Sequence, residues 1–82
     1  MKEKKGAEST IAGIIIPIDW DDYDDVTRVA IQTSEEEEYF VDQTKKGKEL
    51  LDFIEEEVEV TGSVREDEDG NFIIEVNEYG LI

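Results

Sequence analysis

The chain has 82 residues, enough for one small domain whose core can hold only a few large side chains. It contains no cysteine and no histidine, which excludes disulfides, thiolate metal sites and the nucleophile arrangements that depend on histidine. Its 24 acidic and eight basic residues give a formal net charge of -16, which disfavours nucleic acid and anionic membranes as partners and favours basic ones.

Residues 1–9 are polar and include three lysines. We predict a flexible arm there, followed by a single domain over residues 10–82. The longest apolar run, Ile14 to Ile18, is too short for a signal-peptide core or a membrane span. We therefore expect a cytoplasmic protein that does not contact membranes. We also expect it to be a monomer, because an acidic surface disfavours self-association. A leader removed before maturation would leave no trace in this sequence.

The first predicted strand covers Thr10–Trp20 and is apolar on both faces. We expect it to be long, bent and buried on more than one side. Gly13 would allow the bend, and Pro17 would mark an edge, a bulge or a change of partner. An aspartate-rich loop, Asp19–Asp25, separates this strand from a second one over Val26–Thr33.

A charged turn over residues 34–38 leads to a third strand over residues 39–43. Alternation places Tyr39 and Val41 inward and Phe40 outward. The second and third strands are therefore predicted to form a hairpin.

Residues 44–54 are the one predicted helix, with Thr44 as its N-terminal cap. An apolar stripe at helical spacing is formed by Leu50, Leu51 and Ile54, and Phe53 lies beside it. A helix of this length can cover one end of a small barrel.

The clearest prediction is a β-hairpin over Glu57–Tyr79, where polar and apolar residues alternate on both strands. A two-residue turn would bury Glu75, whereas a three-residue loop over residues 68–70 keeps the apolar faces together. Gly70 would then be left-handed. The expected opposite pairs are Val64 with Ile74 and Gly62 with Val76.

The order β-β-β-α-β-β resembles that of the OB-fold. Two glycine-centred segments, Ile11–Ile15 and Val60–Val64, echo one another as barrel strands do where they bend. In the most similar stretch, Lys48–Val64, a helix runs directly into a Val-x-Val-x-Gly-x-Val strand. The resemblance covers nearly the whole chain as a pattern and points to small acidic bacterial OB-fold proteins of unassigned function. It implies an all-β fold with one short helix, a five-stranded OB-fold-like Greek-key barrel; an SH3-like barrel, which would lack the helix, is the alternative.

The same resemblance implies a ligand-binding face on the second and third strands, flanked by the loops after the first and fourth strands. The candidate partner-binding residues are Trp20, Tyr23, Arg28, Phe40, Asp67 and Asp69. Both loops are acidic and Arg28 is the only base expected nearby, which disfavours the usual oligonucleotide ligand. Trp20 is either an anchor for a partner or a plug that closes the barrel core, and the plug is favoured.

Oxygen ligands for Ca²⁺ or Mg²⁺ are present in the first loop, without an EF-hand spacing. The weak candidates are Asp19, Asp21, Asp22, Asp24 and Asp25. We expect no metal site and no cofactor. We also expect no enzyme, because no carboxylate is isolated in an apolar segment and no glycine-rich phosphate loop is present.

The sequence therefore favours a small, acidic, non-catalytic interaction module that contacts a basic protein surface or a cationic ligand. The alternative is weak binding of an oligonucleotide or oligosaccharide on the face of the second and third strands.

Overall fold

The chain folds into a closed five-stranded barrel, described over residues 8–82 in this computed structural model. The strands are β1 (Glu8–Trp20), β2 (Val26–Gln32), β3 (Glu38–Val41), β4 (Glu57–Glu66) and β5 (Phe72–Leu81). A helical segment joins β3 to β4 and consists of a short α-helix, α1 (Lys45–Lys48), that continues as a 3-10 helix over Glu49–Phe53. The predicted arm lies outside the described residues up to position 7, and its last two residues belong to β1.

The strand order around the barrel is β1-β2-β3-β5-β4, and β4 closes onto β1. Every neighbouring pair is antiparallel except β3 and β5, which run parallel. The predicted fold class, an all-β, OB-fold-like Greek-key barrel with a short helix between the third and fourth strands, is confirmed. The SH3-like alternative is wrong because the helical segment is present. No helix within residues 8–82 is long and apolar enough to cross a membrane.

The core is a single cluster to which every strand and the helical segment contribute. Its buried members are Ile15, Val29, Ile31, Val41, Leu50, Val58, Val60, Ile74 and Val76. On β1 the inward face carries Ile11 and Ile15, whereas Ile14 on the other face is 45% exposed. The expectation that β1 is buried on more than one side is therefore wrong for its first half.

β1 changes partner at Ile14, which lies opposite Glu57 of β4 and Gln32 of β2. The change follows directly after Gly13, as expected for a bend there. The register with β2 is interrupted between Pro17 and Asp19, so Pro17 marks a bulge, one of the three predicted possibilities.

The β4–β5 hairpin has the predicted register. Val64 lies opposite Ile74, Gly62 lies opposite Val76, and Gly70 has a φ of 85°. A second irregularity, between Thr61 and Gly62, was not predicted; it leaves Asn77 without an opposite residue on β4.

The helical segment begins where predicted but is wound differently. Thr44 caps it, since its hydroxyl oxygen accepts from the Gly47 amide at 3.1 Å. The second half is 3-10 rather than α-helical and ends before Glu55, whose amide donates to the Ile15 carbonyl at 2.7 Å. This bond ties the segment to β1, and the fully buried Leu50 closes one end of the core.

Candidate ligand-binding face

The outer surface of β1, β2, β3 and β5 carries a row of apolar residues that includes Phe40. In this row Ile16 lies opposite Ala30, Ala30 opposite Phe40, and Phe40 opposite Ile73. Phe40 has the outward direction predicted for it, because its neighbour Val41 points into the core and Phe40 is not part of the core cluster. The apolar centre of the predicted face thus includes more residues than Phe40 alone. Ile16, Phe40 and Ile73 are half-buried, and Ala30 is fully buried.

Asp42, which follows β3, pairs with one basic side chain and lines a small cavity together with two others. The Arg65 Nη1 atom lies 3.2 Å from Asp42 Oδ2. Arg28 and Lys48 line, together with Asp42, a cavity of about 10 Å³, roughly the space that one water molecule occupies. The prediction that Arg28 is the only base near the face is therefore wrong. Arg65 and Lys48 come from β4 and α1, and only the barrel topology brings them to this position.

Three hairpin loops in residues 8–82 close in the same way: the β1–β2 loop (residues 21–25), the β2–β3 loop (residues 33–37) and the β4–β5 loop (residues 67–71). In each, the amide of the first residue donates to the carbonyl of the fifth at 2.9 Å. The fourth residue of each loop is left-handed; these residues are Asp24 and Glu36, both with a φ of 66°, and Gly70. This is a three-residue hairpin loop that ends in a left-handed residue, used three times.

The first side chain of each loop holds the loop together. Asp67 Oδ1 accepts from the amides of Asp69 and Asn71, both at 2.9 Å, and Asp21 Oδ1 accepts from those of Tyr23 and Asp25. Thr33 does the same with its hydroxyl oxygen in the β2–β3 loop. The hydrogen bond from the Asn71 amide is the main cause that lowers the pKa of Asp67 below its ordinary value.

Two candidate residues therefore have a structural role in their loops that was not predicted from the sequence. Asp67 was predicted to contact a partner and Asp21 was a weak metal candidate, and in both the Oδ1 atom already accepts two amides. The signal was present as a repeated spacing, a short oxygen-bearing side chain four residues before the end of each loop. Asp69 remains exposed, and its carboxylate is free to meet a partner.

Trp20 lies at the end of β1 and is 51% exposed. The predicted plug is therefore wrong. The irregular register after Pro17 sets the last residues of β1 apart from the regular alternation, and Val26, opposite Trp20, packs against the core. Tyr23, in the adjacent loop, is 85% exposed. One accessible aromatic side chain thus lies directly before the aspartate-rich β1–β2 loop and a second lies within it.

The metal candidates do not converge. Within residues 8–82, no group of three or more His, Cys, Asp or Glu side chains is arranged to hold a metal ion. Asp19 Oδ1 accepts from the Trp20 amide at 3.0 Å, while Asp22 and Asp24 point into solvent.

An aromatic pair that sequence reasoning missed lies beside the other two loops. The rings of Tyr39 and Phe72 stack with centroids 5.7 Å apart, and Phe72 is 41% exposed. The Tyr39 hydroxyl donates to Glu37, and burial together with that carboxylate raises the pKa of Tyr39. Alternation placed Tyr39 inward, and Tyr39 is partly buried against the core. The exposure of Phe72 beside it does not follow from alternation.

Comparisons of the chain with protein-family models, with curated proteins and with solved structures found no match. The geometry of the face and its loops is therefore the basis for a functional proposal.

Proposed function

We propose that this chain is a small, acidic, non-catalytic OB-fold module that binds a basic protein surface or a cationic ligand on the outer face of β2 and β3. The resemblance to small bacterial OB-fold proteins of unassigned function belongs to the same proposal, as do a cytoplasmic location and a monomeric state. The observation that carries it is the combination of exposed aromatic side chains with unneutralised carboxylates around one face.

Most of the carboxylates in the described part of the chain are not neutralised by an ion pair. Leaving out Glu3 and the three lysines of residues 1–7, residues 8–82 hold 23 acids and five bases. Among these residues there are two ion pairs, Lys46 with Glu49 and Arg65 with Asp42. A lysine- or arginine-bearing surface would gain attraction from the remaining carboxylates and would be steered towards them before contact.

Aromatic side chains supply the anchors that such a contact needs. Tryptophan and tyrosine are frequent among the residues that dominate binding energy at interfaces. Trp20 at the end of β1 and Tyr23 in the β1–β2 loop are accessible, and the half-buried Phe40 lies in the apolar row. Basic side chains of a partner would meet the loop carboxylates while apolar parts cover the row.

The test uses a labelled lysine-rich peptide that also contains leucine, titrated into the full chain at physiological salt and followed by fluorescence anisotropy. We expect Phe40→Ala and Trp20→Ala each to weaken binding by about tenfold, a typical loss for an anchor residue. Phe72→Ala is the matched control, because Phe72 is a similarly exposed aromatic at the other loops. Absence of binding, or equal weakening by all three substitutions, would contradict the proposal.

A second function is favoured by the bases around Asp42. Arg65 pairs with Asp42, and Arg28 lines a small cavity with Asp42. Phe40 lies on β3, shortly before Asp42 in the chain, and bases of a single-stranded oligonucleotide could stack on its ring for about 1–3 kcal/mol each. Labelled oligothymidine at low salt distinguishes this from the first proposal. Binding that weakens steeply with salt and is lost in Arg28→Gln, but not in Lys45→Gln, would favour an oligonucleotide over a basic protein as the partner. A panel of oligosaccharides tests the remaining alternative.

A further inference from the structure

β1 has an edge that no strand covers. Its residues Glu8–Gly13 pair with β4 on one side, and β2 pairs with β1 only from Ile14 onwards. In the described part of the chain, no strand lies on the other side of Glu8–Gly13. The barrel is closed in its middle, but its longest strand extends past the end of one neighbour.

The hydrogen bonds near Ile15 show which groups face this edge. The Ile15 amide donates to the Glu56 carbonyl at 3.1 Å, and the Ile15 carbonyl accepts from the Glu55 amide, so both groups point to the side of β4. Backbone groups alternate sides along a strand. The backbone amides and carbonyls of Ile11 and Gly13 therefore also point to β4, while those of Thr10 and Ala12 point to the open edge.

Proteins usually protect such edges with charges, prolines, bulges or a covering element. The end of β5 shows this protection: it carries Glu75 and Glu78, it has the irregularity at Asn77, and α1 packs beside it. Apart from Glu8, the open edge of β1 lies instead in the longest uncharged run of the chain, Ser9–Ile18, although 39% of all residues are charged.

A groove lies where β2 leaves β1. Its volume is about 270 Å³, and it is lined by Ala12 and Ile14 of β1, by Gln32 at the end of β2 and by Thr33 and Ser34 of the following loop. A strand added to the open edge of β1 would begin at this groove and lie on the same side of β1 as β2. Carboxylates border the site, since Glu57 also lines the groove and Glu59 lies opposite Ala12.

We propose that the edge of β1 over Glu8–Gly13 binds an extended, lysine- or arginine-bearing segment of a partner protein by strand addition. Main-chain bonds to Thr10 and Ala12 would hold the segment, and its basic side chains would meet Glu57 and Glu59. A second copy of this chain is the less suitable occupant, because it would bring a further net charge of -16 to the same place. This site is separate from the face around Phe40 and does not rest on the function proposed for that face.

The probe is a labelled peptide in which lysine and valine alternate. Its control has the same sequence with every second backbone amide methylated, which keeps the charge and removes the main-chain donors. Ala12→Pro removes the edge amide of the protein, and Ala12→Val keeps it with an equally outward side chain. We expect Ala12→Pro and the methylated peptide each to weaken binding by about tenfold or more, and Ala12→Val to bind within about twofold of the natural chain.

Hydrogen exchange on the unsubstituted chain tests the same edge without depending on a variant that folds. The amides of Thr10 and Ala12 should exchange faster than those of Ile11 and Gly13, and the peptide should slow the first two. Equal exchange of all four amides in the free chain would overturn the proposal, as would equal binding of the methylated peptide. Sedimentation showing a dimer that Ala12→Pro dissociates, without peptide binding, would overturn the assigned occupant. In a chain that already carries Phe40→Ala, where binding to that face is weakened, Ala12→Pro should still weaken binding of this peptide by about tenfold. If Ala12→Pro has no effect in that chain, the peptide binds the Phe40 face and the edge proposal alone fails.

Discussion

Gly62 lies on β4 at a position where a side chain has no room against the backbone of β5. A Cβ atom at this position would collide with the carbonyl oxygen of Glu75, whereas a Cβ at Gly80, farther along the same hairpin, would meet nothing. We predict that Gly62→Ala lowers the free energy of unfolding by about 1–3 kcal/mol, the usual range for overpacking. Gly80→Ala should raise it by about 0.4–1 kcal/mol, because alanine restricts the unfolded chain. Urea unfolding of both variants measures this, and equal stabilities would contradict the register of the hairpin.

Asp67 gives a prediction about pH. Hydrogen bonds from the loop amides, first that of Asn71, lower the folded-state pKa of this carboxyl below its ordinary value of 3.8. A lowered folded pKa contributes stability that is present above 3.8 and is lost as the pH falls through the folded pKa. Asp67→Asn does not titrate, so the natural chain should melt at a higher temperature than this variant at pH 7, and the difference should shrink on acidification. Thermal melts of both chains test it; a constant difference would show that the charge has no role in the loop.

At the scale of elements, the shared loop closure explains where acidic residues are tolerated and where they cost stability. Glu36 is left-handed, a conformation that costs a non-glycine residue roughly 1–2 kcal/mol. We predict that Glu36→Gly raises the free energy of unfolding by up to about 1 kcal/mol, after the greater flexibility of glycine in the unfolded chain is subtracted. Glu35→Gly removes the same charge from the same loop without relieving this conformation, and it should be destabilising. A gain in both variants would show that charge, not backbone geometry, is responsible.

The sequence predicts those elements whose signals are local. The register of the β4–β5 hairpin follows from the alternation of Val64 and Ile74 with their polar neighbours and from the demand for a left-handed Gly70, all within one short stretch. The exposure of Trp20 does not follow from any local pattern, since it depends on the irregular pairing of β1 with β2 after Pro17. The 3-10 winding after Lys48 is likewise not revealed by helical periodicity, nor is the bond from the Glu55 amide to β1.

The candidate site shows the same division. Phe40 and its outward direction are readable from alternation, because the next residue is apolar and inward. The approach of Arg65 to Asp42 is not readable, since these residues are brought together by the parallel pairing of β3 with β5. The loop role of Asp67 was hidden by its charge, which suggested a partner when the oxygen was already engaged.

At the scale of the whole molecule, like charges are packed together with little compensation. Residues 8–82 carry the excess of acids described above, and the two ion pairs among them are exposed and of a kind that contributes at most about 1 kcal/mol each. Folding brings the carboxylates closer to one another than they are in the unfolded chain. Repulsion among the carboxylates therefore destabilises the folded state, and the size of this effect depends on the ionic strength of the solution.

We predict that raising the salt concentration from low ionic strength to about 0.5 M, where the Debye length is only roughly 4 Å, increases the melting temperature. Salt also weakens the two ion pairs, but their small contribution cannot outweigh relief of repulsion among so many acids. For a domain of this size, each kcal/mol of relieved repulsion corresponds to about 4–8 °C. A variant in which Glu35, Glu36 and Glu38 are replaced by glutamine should melt at a higher temperature in low salt and respond less to added salt. A melting temperature that salt leaves unchanged in the natural chain would mean that the acidic surface does not strain the fold, and that its charge acts only on partners.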